Sequence, residues 1–88
     1  MATHAIPWTV VQSSNLRAVR YDADAHQLDV WFLNGRVYRY FDVPADTYAD
    51  LIAAPSHGTF FSGSIRGRYR YERLADEKAP VAMAREEV

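Results

Sequence analysis

Cysteine is missing altogether from the 88 residues. No disulfide framework can therefore compensate for a small core, and no thiolate is available to hold zinc. Long apolar runs are missing too: no stretch approaches the roughly 18 residues that a membrane span needs. The N-terminus, MATHAIPWTVV, lacks the basic region and apolar run of a secretory signal. A cytoplasmic protein with no membrane attachment is the expectation. Lysine is scarce, since nine of the ten basic residues are arginine. A charge excess is lacking as well: the formal net charge of −1 argues against a protein that coats nucleic acid indiscriminately. No internal repeat of solenoid length occurs.

Metal and catalytic chemistry are poorly provided for. His4, His26 and His57 fall on different predicted elements with no ligand spacing, so neither a metal nor a cofactor is expected. Asp22 and Asp24 flank a hairpin loop, where acids serve as turn-formers. Ser62-Gly63-Ser64 lacks the strand–turn–helix context of a nucleophile elbow, and no phosphate loop is present. Asp42, Asp46 and Asp50 recur at a spacing that reads as a solvated helix face. No acid–base or nucleophile constellation converges, and a non-catalytic protein is expected.

What remains is a short chain with ordinary apolar content. Its length allows one domain, burying about 60% of the surface that the unfolded chain exposes. Residues 1–11 read as an N-terminal extended segment, 12–74 as a single domain, and 75–88, around Pro80, as a flexible tail. Ser13, Ser14 and Asn15 form a polar turn, followed by strands at 16–22, 27–32 and 36–41. Asn34-Gly35 marks the hairpin between the last two.

The register of that hairpin follows from parity. A two-residue turn would pair Leu33 with Arg36 and set Val30 against Arg39. A three-residue loop with Gly35 left-handed pairs Phe32 with Arg36 instead. Leu28, Val30 and Phe32 then share a face with Tyr38 and Tyr40, and Asp29 lies opposite Arg39. The second register gathers apolar groups on one face and opposite charges on the other, so it is the one expected. It sends Trp31 and Val37 to the other face, where Trp31 is either covered by residues 6–11 or exposed for interaction. Covering is the expectation, because Trp8, Val10 and Val11 also need an apolar partner.

Val43-Pro44 closes the third strand and opens a helix whose buried stripe is Tyr48, Leu51 and Ile52. Pro55 stops it, and Ser56 caps a second helix over 57–66 that ends at Gly67. Gly58 and Ser62-Gly63-Ser64 make this helix intrinsically weak, so packing of Phe60, Phe61 and Ile65 must hold it. The expected architecture is α+β: a three-stranded antiparallel meander packed by two short helices, with a C-terminal basic extended segment. Tyr38, Tyr40, Phe60, Phe61, Tyr69 and Tyr71 are its expected aromatic core.

The stretch IRGRYRYERL concentrates the positive charge. Arg66, Arg68, Arg70 and Arg73 with Glu72 give residues 64–74 a charge of +3, leaving −4 for the rest. Arginine forks match phosphate oxygens and stack on bases. With Tyr69 and Tyr71 turned inward, Arg66, Arg68, Arg70 and Arg73, joined by Arg17, Arg20 and Arg36, form a candidate nucleic-acid surface. Two readings stand: an RNA-binding module, or a protein-interaction module docking an acidic surface.

The motifs SSNL at 13–16, YD at 21–22, LDVWF and YRY within 28–40, VP with LIAA within 43–54, S.G..F at 56–61 and IRGRY at 65–69 occur in an order that resembles the KTSC domain. That family is named for the C-terminus of some lysyl-tRNA synthetases, and it also occurs as stand-alone bacterial or phage proteins. The resemblance covers about 11–74, with Tyr38 and Tyr40 at its central Y-x-Y and Arg20 in place of an expected glycine. It implies no established activity; its link to a synthetase suggests RNA binding.

Overall fold

Three-residue closure is what the Asn34-Gly35 hairpin adopts. The structure, a computed structural model, describes residues 6–74. Strands β3 (Gln27–Phe32) and β4 (Val37–Tyr40) pair with Leu28 opposite Tyr40, Asp29 opposite Arg39 and Val30 opposite Tyr38. Gly35 has φ +94°, a left-handed geometry that suits glycine. Its N–H donates to the Phe32 carbonyl at 2.9 Å, and the Arg36 N–H donates to Asn34 Oδ1 at 2.9 Å. The side chain of Asn34 thus completes the turn its backbone begins.

Among the described residues the meander has five strands rather than three. β1 (Thr9–Val10) pairs with β2 (Leu16–Asp22) at one edge, and β5 (Tyr71–Leu74) pairs with β4 at the other. The order is β1-β2-β3-β4-β5, antiparallel throughout. The two segments expected as extended pieces beside a three-stranded meander are ladder strands, because strands β2 and β4 offer unpaired backbone that they satisfy. Residues 1–5 and the expected tail at 75–88 lie outside the described residues.

Helices α1 (Ala45–Ala53) and α2 (His57–Ser64) are inserted between β4 and β5. Pro44 is the N-cap of α1 rather than its first helical residue. Ser56 caps α2 as expected, its hydroxyl accepting from the Thr59 N–H at 3.2 Å. α2 ends two residues short of Arg66. Its last bonds converge on one carbonyl, with the N–H groups of Ile65 and Arg66 both donating to Phe61 O, and Gly67 then turns left-handed at φ +79°. Such tightening sends Ile65 fully into the core and releases Arg66 to the surface.

Both helices cover one face of the sheet. Val11, Leu16, Val19, Leu28, Val30, Tyr40, Val43, Leu51, Phe61 and Ile65 form the buried cluster there, so Val11 packs on this face rather than against Trp31. Phe61 meets Phe32 and Tyr40 edge-on at 5.5 Å in each case. Tyr48 of α1 stacks on Tyr21 of β2 at 4.8 Å, and the Tyr21 hydroxyl donates to Val43 O. Burying an aliphatic or phenyl side chain of this kind stabilises by about 1.5–3 kcal/mol. The expected Ile52 stripe member is instead exposed.

The opposite face carries a smaller cluster of Ala18, Trp31, Val37 and Leu74, against which Trp8 packs. The two indoles lie 5.7 Å apart, so Trp31 is covered as expected. Beside them the Asp29 carboxylate is buried and accepts from Arg39 Nε at 2.8 Å and Arg20 Nε at 2.9 Å. The hydrogen bond to Asp29 raises the Arg39 pKa, with burial acting in the other direction.

Candidate functional site

Two turns meet at one end of the sheet. In the Ser13–Asn15 turn, Ser13 Oγ accepts from the N–H groups of Asn15 and Leu16, each at 3.2 Å. The Leu33 N–H of the hairpin turn donates to Asn15 O at 3.0 Å, tying the two together. Helix α2 braces the first turn from behind. A Cβ at Gly58 would lie 2.6 Å from Asn15 Oδ1 and 2.9 Å from Ser13 Oγ, closer than such atoms approach. Glycine here is a packing requirement, although it costs the helix about 1 kcal/mol.

Between these turns and the segment after α2 runs an open groove of about 760 Å³. Phe32 and Phe61 line it on the core side, and Tyr38, Tyr40 and Tyr71 follow across β4 and β5. Tyr71 lies 5.6 Å from Tyr38 and 5.5 Å from Tyr40, ring centre to ring centre. Arg36 joins from the hairpin and Arg66 with Gly67 from the turn after α2. Among the described residues neither guanidinium makes a hydrogen bond or ion pair. Burial pushes the Tyr40 phenol up to about 12, opposed by the charge of Arg66 and assisted by Tyr71 and Tyr38.

Tyr71 is the main correction to the expected aromatic core. It is 56% exposed, because β5 is the edge strand and Phe61 covers Tyr40 instead. Tyr40 and Phe61 are buried, while Tyr38, Phe60 and Tyr69 are half-buried against the main cluster.

The arginines do not form a single stripe. Arg20 is bound to Asp29 on the face away from the helices, with its guanidinium 4.4 Å above the Trp8 ring. Arg17 lies 5.1 Å above Trp31. Arg68 donates to Gly63 O at 3.2 Å. Arg70 covers the Phe41 ring at 4.2 Å, with Asp42 3.9 Å away. Arg73 stands opposite Tyr38 on β5. A single stripe needs Tyr69 and Tyr71 on one side of a continuous strand, but the strand begins only at Tyr71. Residues 65–68 form a turn, and 69–70 lead from it into the strand, so side-chain direction does not alternate there.

Asn15 and Asn34 entered the sequence reading only as turn residues, yet both line the groove. A turn asparagine that uses its oxygen locally keeps two N–H donors for something else, and that signal was available. His57 is half-buried, its ring nitrogens 3.4 Å from Gln12 O and 3.3 Å from Ile52 O. Among the described residues no three histidines or carboxylates converge, and no helix is long and apolar enough to cross a membrane.

A five-stranded antiparallel meander with a helix pair before its last strand defines a small α+β module. The chain belongs to the KTSC domain family, whose model matches residues 12–69. It is similar to the crystal structure of a KTSC domain protein from Yersinia pestis, with a TM-score of 0.78 and 30% identity over 81% of this chain and 100% of that one. A lysine–tRNA ligase from Nostoc sp. is 35% identical over 71 residues, which cover 81% of this chain. The match spans only 13% of the ligase's length. An uncharacterized protein from Stutzerimonas stutzeri is 38% identical over 65 residues, covering 73% of this chain and 92% of that protein.

Proposed function

We propose that this chain is a non-catalytic, cytoplasmic binding module that holds single-stranded RNA in the tyrosine-lined groove. The observation that carries the reading is the pairing of two uncommitted guanidinium groups, Arg36 and Arg66, with the accessible rings of Tyr71 and Tyr38. Arginines neutralise phosphates while tyrosine faces stack bases, which is how single strands are held without a folded partner. A rigid duplex does not present unstacked bases to such rings. The likeness to a segment of lysine–tRNA ligases supports an RNA ligand.

Fluorescence anisotropy with a labelled oligoribonucleotide tests this. With two phosphates neutralised, affinity falls roughly sevenfold between 50 and 200 mM salt. Arg36→Ala and Arg66→Ala each reduce the salt slope by about 0.7, whereas Arg70→Ala leaves it nearly unchanged. Absence of binding to any RNA at low salt ends this reading and leaves an acidic protein surface as the partner to test.

A further inference from the structure

The amide and guanidinium groups on the rim of the groove present hydrogen-bond donors. Oxygen and nitrogen of an asparagine amide are told apart by their partners, and both asparagines here have theirs. Ser13 Oγ already accepts two backbone N–H groups, so its own proton goes to Asn15 Oδ1 at 3.0 Å. That oxygen is also the atom that would crowd a Cβ at Gly58. Asn34 Oδ1 accepts the Arg36 N–H at 2.9 Å. In each residue the oxygen is engaged within its own turn, and among the described residues the amide nitrogen keeps two donors without a partner. Arg36 and Arg66 contribute donors only. The tyrosine phenols and the Ser14 hydroxyl can turn either way.

We propose that the groove selects bases carrying an exocyclic keto oxygen over bases carrying an amino group in its place. The inference rests on the RNA reading above and names the class of base within it. Uracil against cytosine is the cleanest comparison. The two rings have the same size, and they differ at position 4, where uracil presents an oxygen and cytosine an NH2, and at the adjacent N3, which donates in uracil and accepts in cytosine. A keto oxygen accepts from the Asn15 or Asn34 amide, whereas an amino group facing those donors leaves both sides unpaired. One such mismatch corresponds to roughly a 5- to 10-fold difference in affinity.

Oligouridylate and oligocytidylate of equal length carry the same charge, so the phosphate contribution cancels in their affinity ratio. The experiment measures that ratio near neutral pH for the intact chain and for Asn34→Asp and Asn15→Asp. Aspartate keeps the oxygen that each turn requires and replaces the donor nitrogen with an acceptor, so melting temperatures should stay close to the parent's. The expected result is a 5- to 10-fold preference for uridylate in the parent that falls below twofold, or inverts, in at least one aspartate variant. Affinity for both oligomers drops in those variants because of the added negative charge, and the ratio is the readout. Equal binding of the two oligomers by the parent overturns the keto preference and leaves RNA binding standing. A ratio unmoved in both variants overturns the role of the asparagines. Failure of both oligomers, and of any other RNA, to bind at low salt removes the RNA reading and this inference together.

Discussion

Tyr40 and Tyr71 are direct partners across β4 and β5 with ring centres 5.5 Å apart, yet Tyr40 is 5% exposed and Tyr71 56%. Phe61 of α2 lies against Tyr40 and leaves Tyr71, on the edge strand, uncovered. One ring therefore belongs to the core and its neighbour to the groove. Truncating them should separate stability from binding. Tyr40→Ala is expected to cost about 3–4 kcal/mol in denaturant unfolding. Tyr71→Ala is expected to cost under about 1 kcal/mol while weakening RNA binding roughly tenfold through one lost stack.

Tyr40 also makes stability depend on alkaline pH. An unfolded tyrosine ionises near pH 10, whereas burial holds Tyr40 to about 12. The neutral phenol favours the fold, so its contribution is complete below about pH 10 and is lost as pH climbs through about 12. Urea midpoints across that window should decline less steeply for Tyr40→Phe than for the parent. Arg66→Ala removes the one opposing charge and should raise the Tyr40 titration midpoint further, read by NMR of ring-labelled tyrosine.

Two glycines of α2 should respond to alanine in opposite directions. At Gly63 no atom lies within 4 Å of the added methyl group, and Gly63→Ala should stabilise by about 0.5–1 kcal/mol. At Gly58 the methyl group meets Asn15 and Ser13 of the neighbouring turn. Gly58→Ala should destabilise by about 1–3 kcal/mol and shift the amide resonances of the Ser13–Asn15 turn. Equal gains at both positions would show that the turn does not pack against α2 as described.

Asp29 sits beneath two arginines on the face away from the groove. Asp29→Ala leaves both guanidinium groups without their shared acceptor, at an expected cost of about 2–3 kcal/mol. Arg39→Ala should cost less, because Arg20 still compensates the buried carboxylate. Thermal melts of the two variants check the order. RNA affinity, measured below both melting temperatures, should change little in either case.

Much of this fold could be read from the chain. Asn34-Gly35 and the parity of Leu28, Val30 and Phe32 determined the hairpin register, since a slip by one residue would turn the apolar set to solvent. Ser56 specified its cap, Asp22 its turn, and the same parity sent Trp31 to the far face, where Trp8 covers it. These are local or nearest-strand relationships, governed by side-chain alternation and by short-range hydrogen bonds. Which arginines share a surface is a different kind of question. Arg20 and Arg17 are drawn onto the indoles, Arg70 onto Phe41, and among the described residues only Arg36 and Arg66 reach the groove. Side chains far apart along the chain come together there because α2 ends early and β5 takes the sheet edge. That outcome is set by packing between distant segments, which no local pattern encodes.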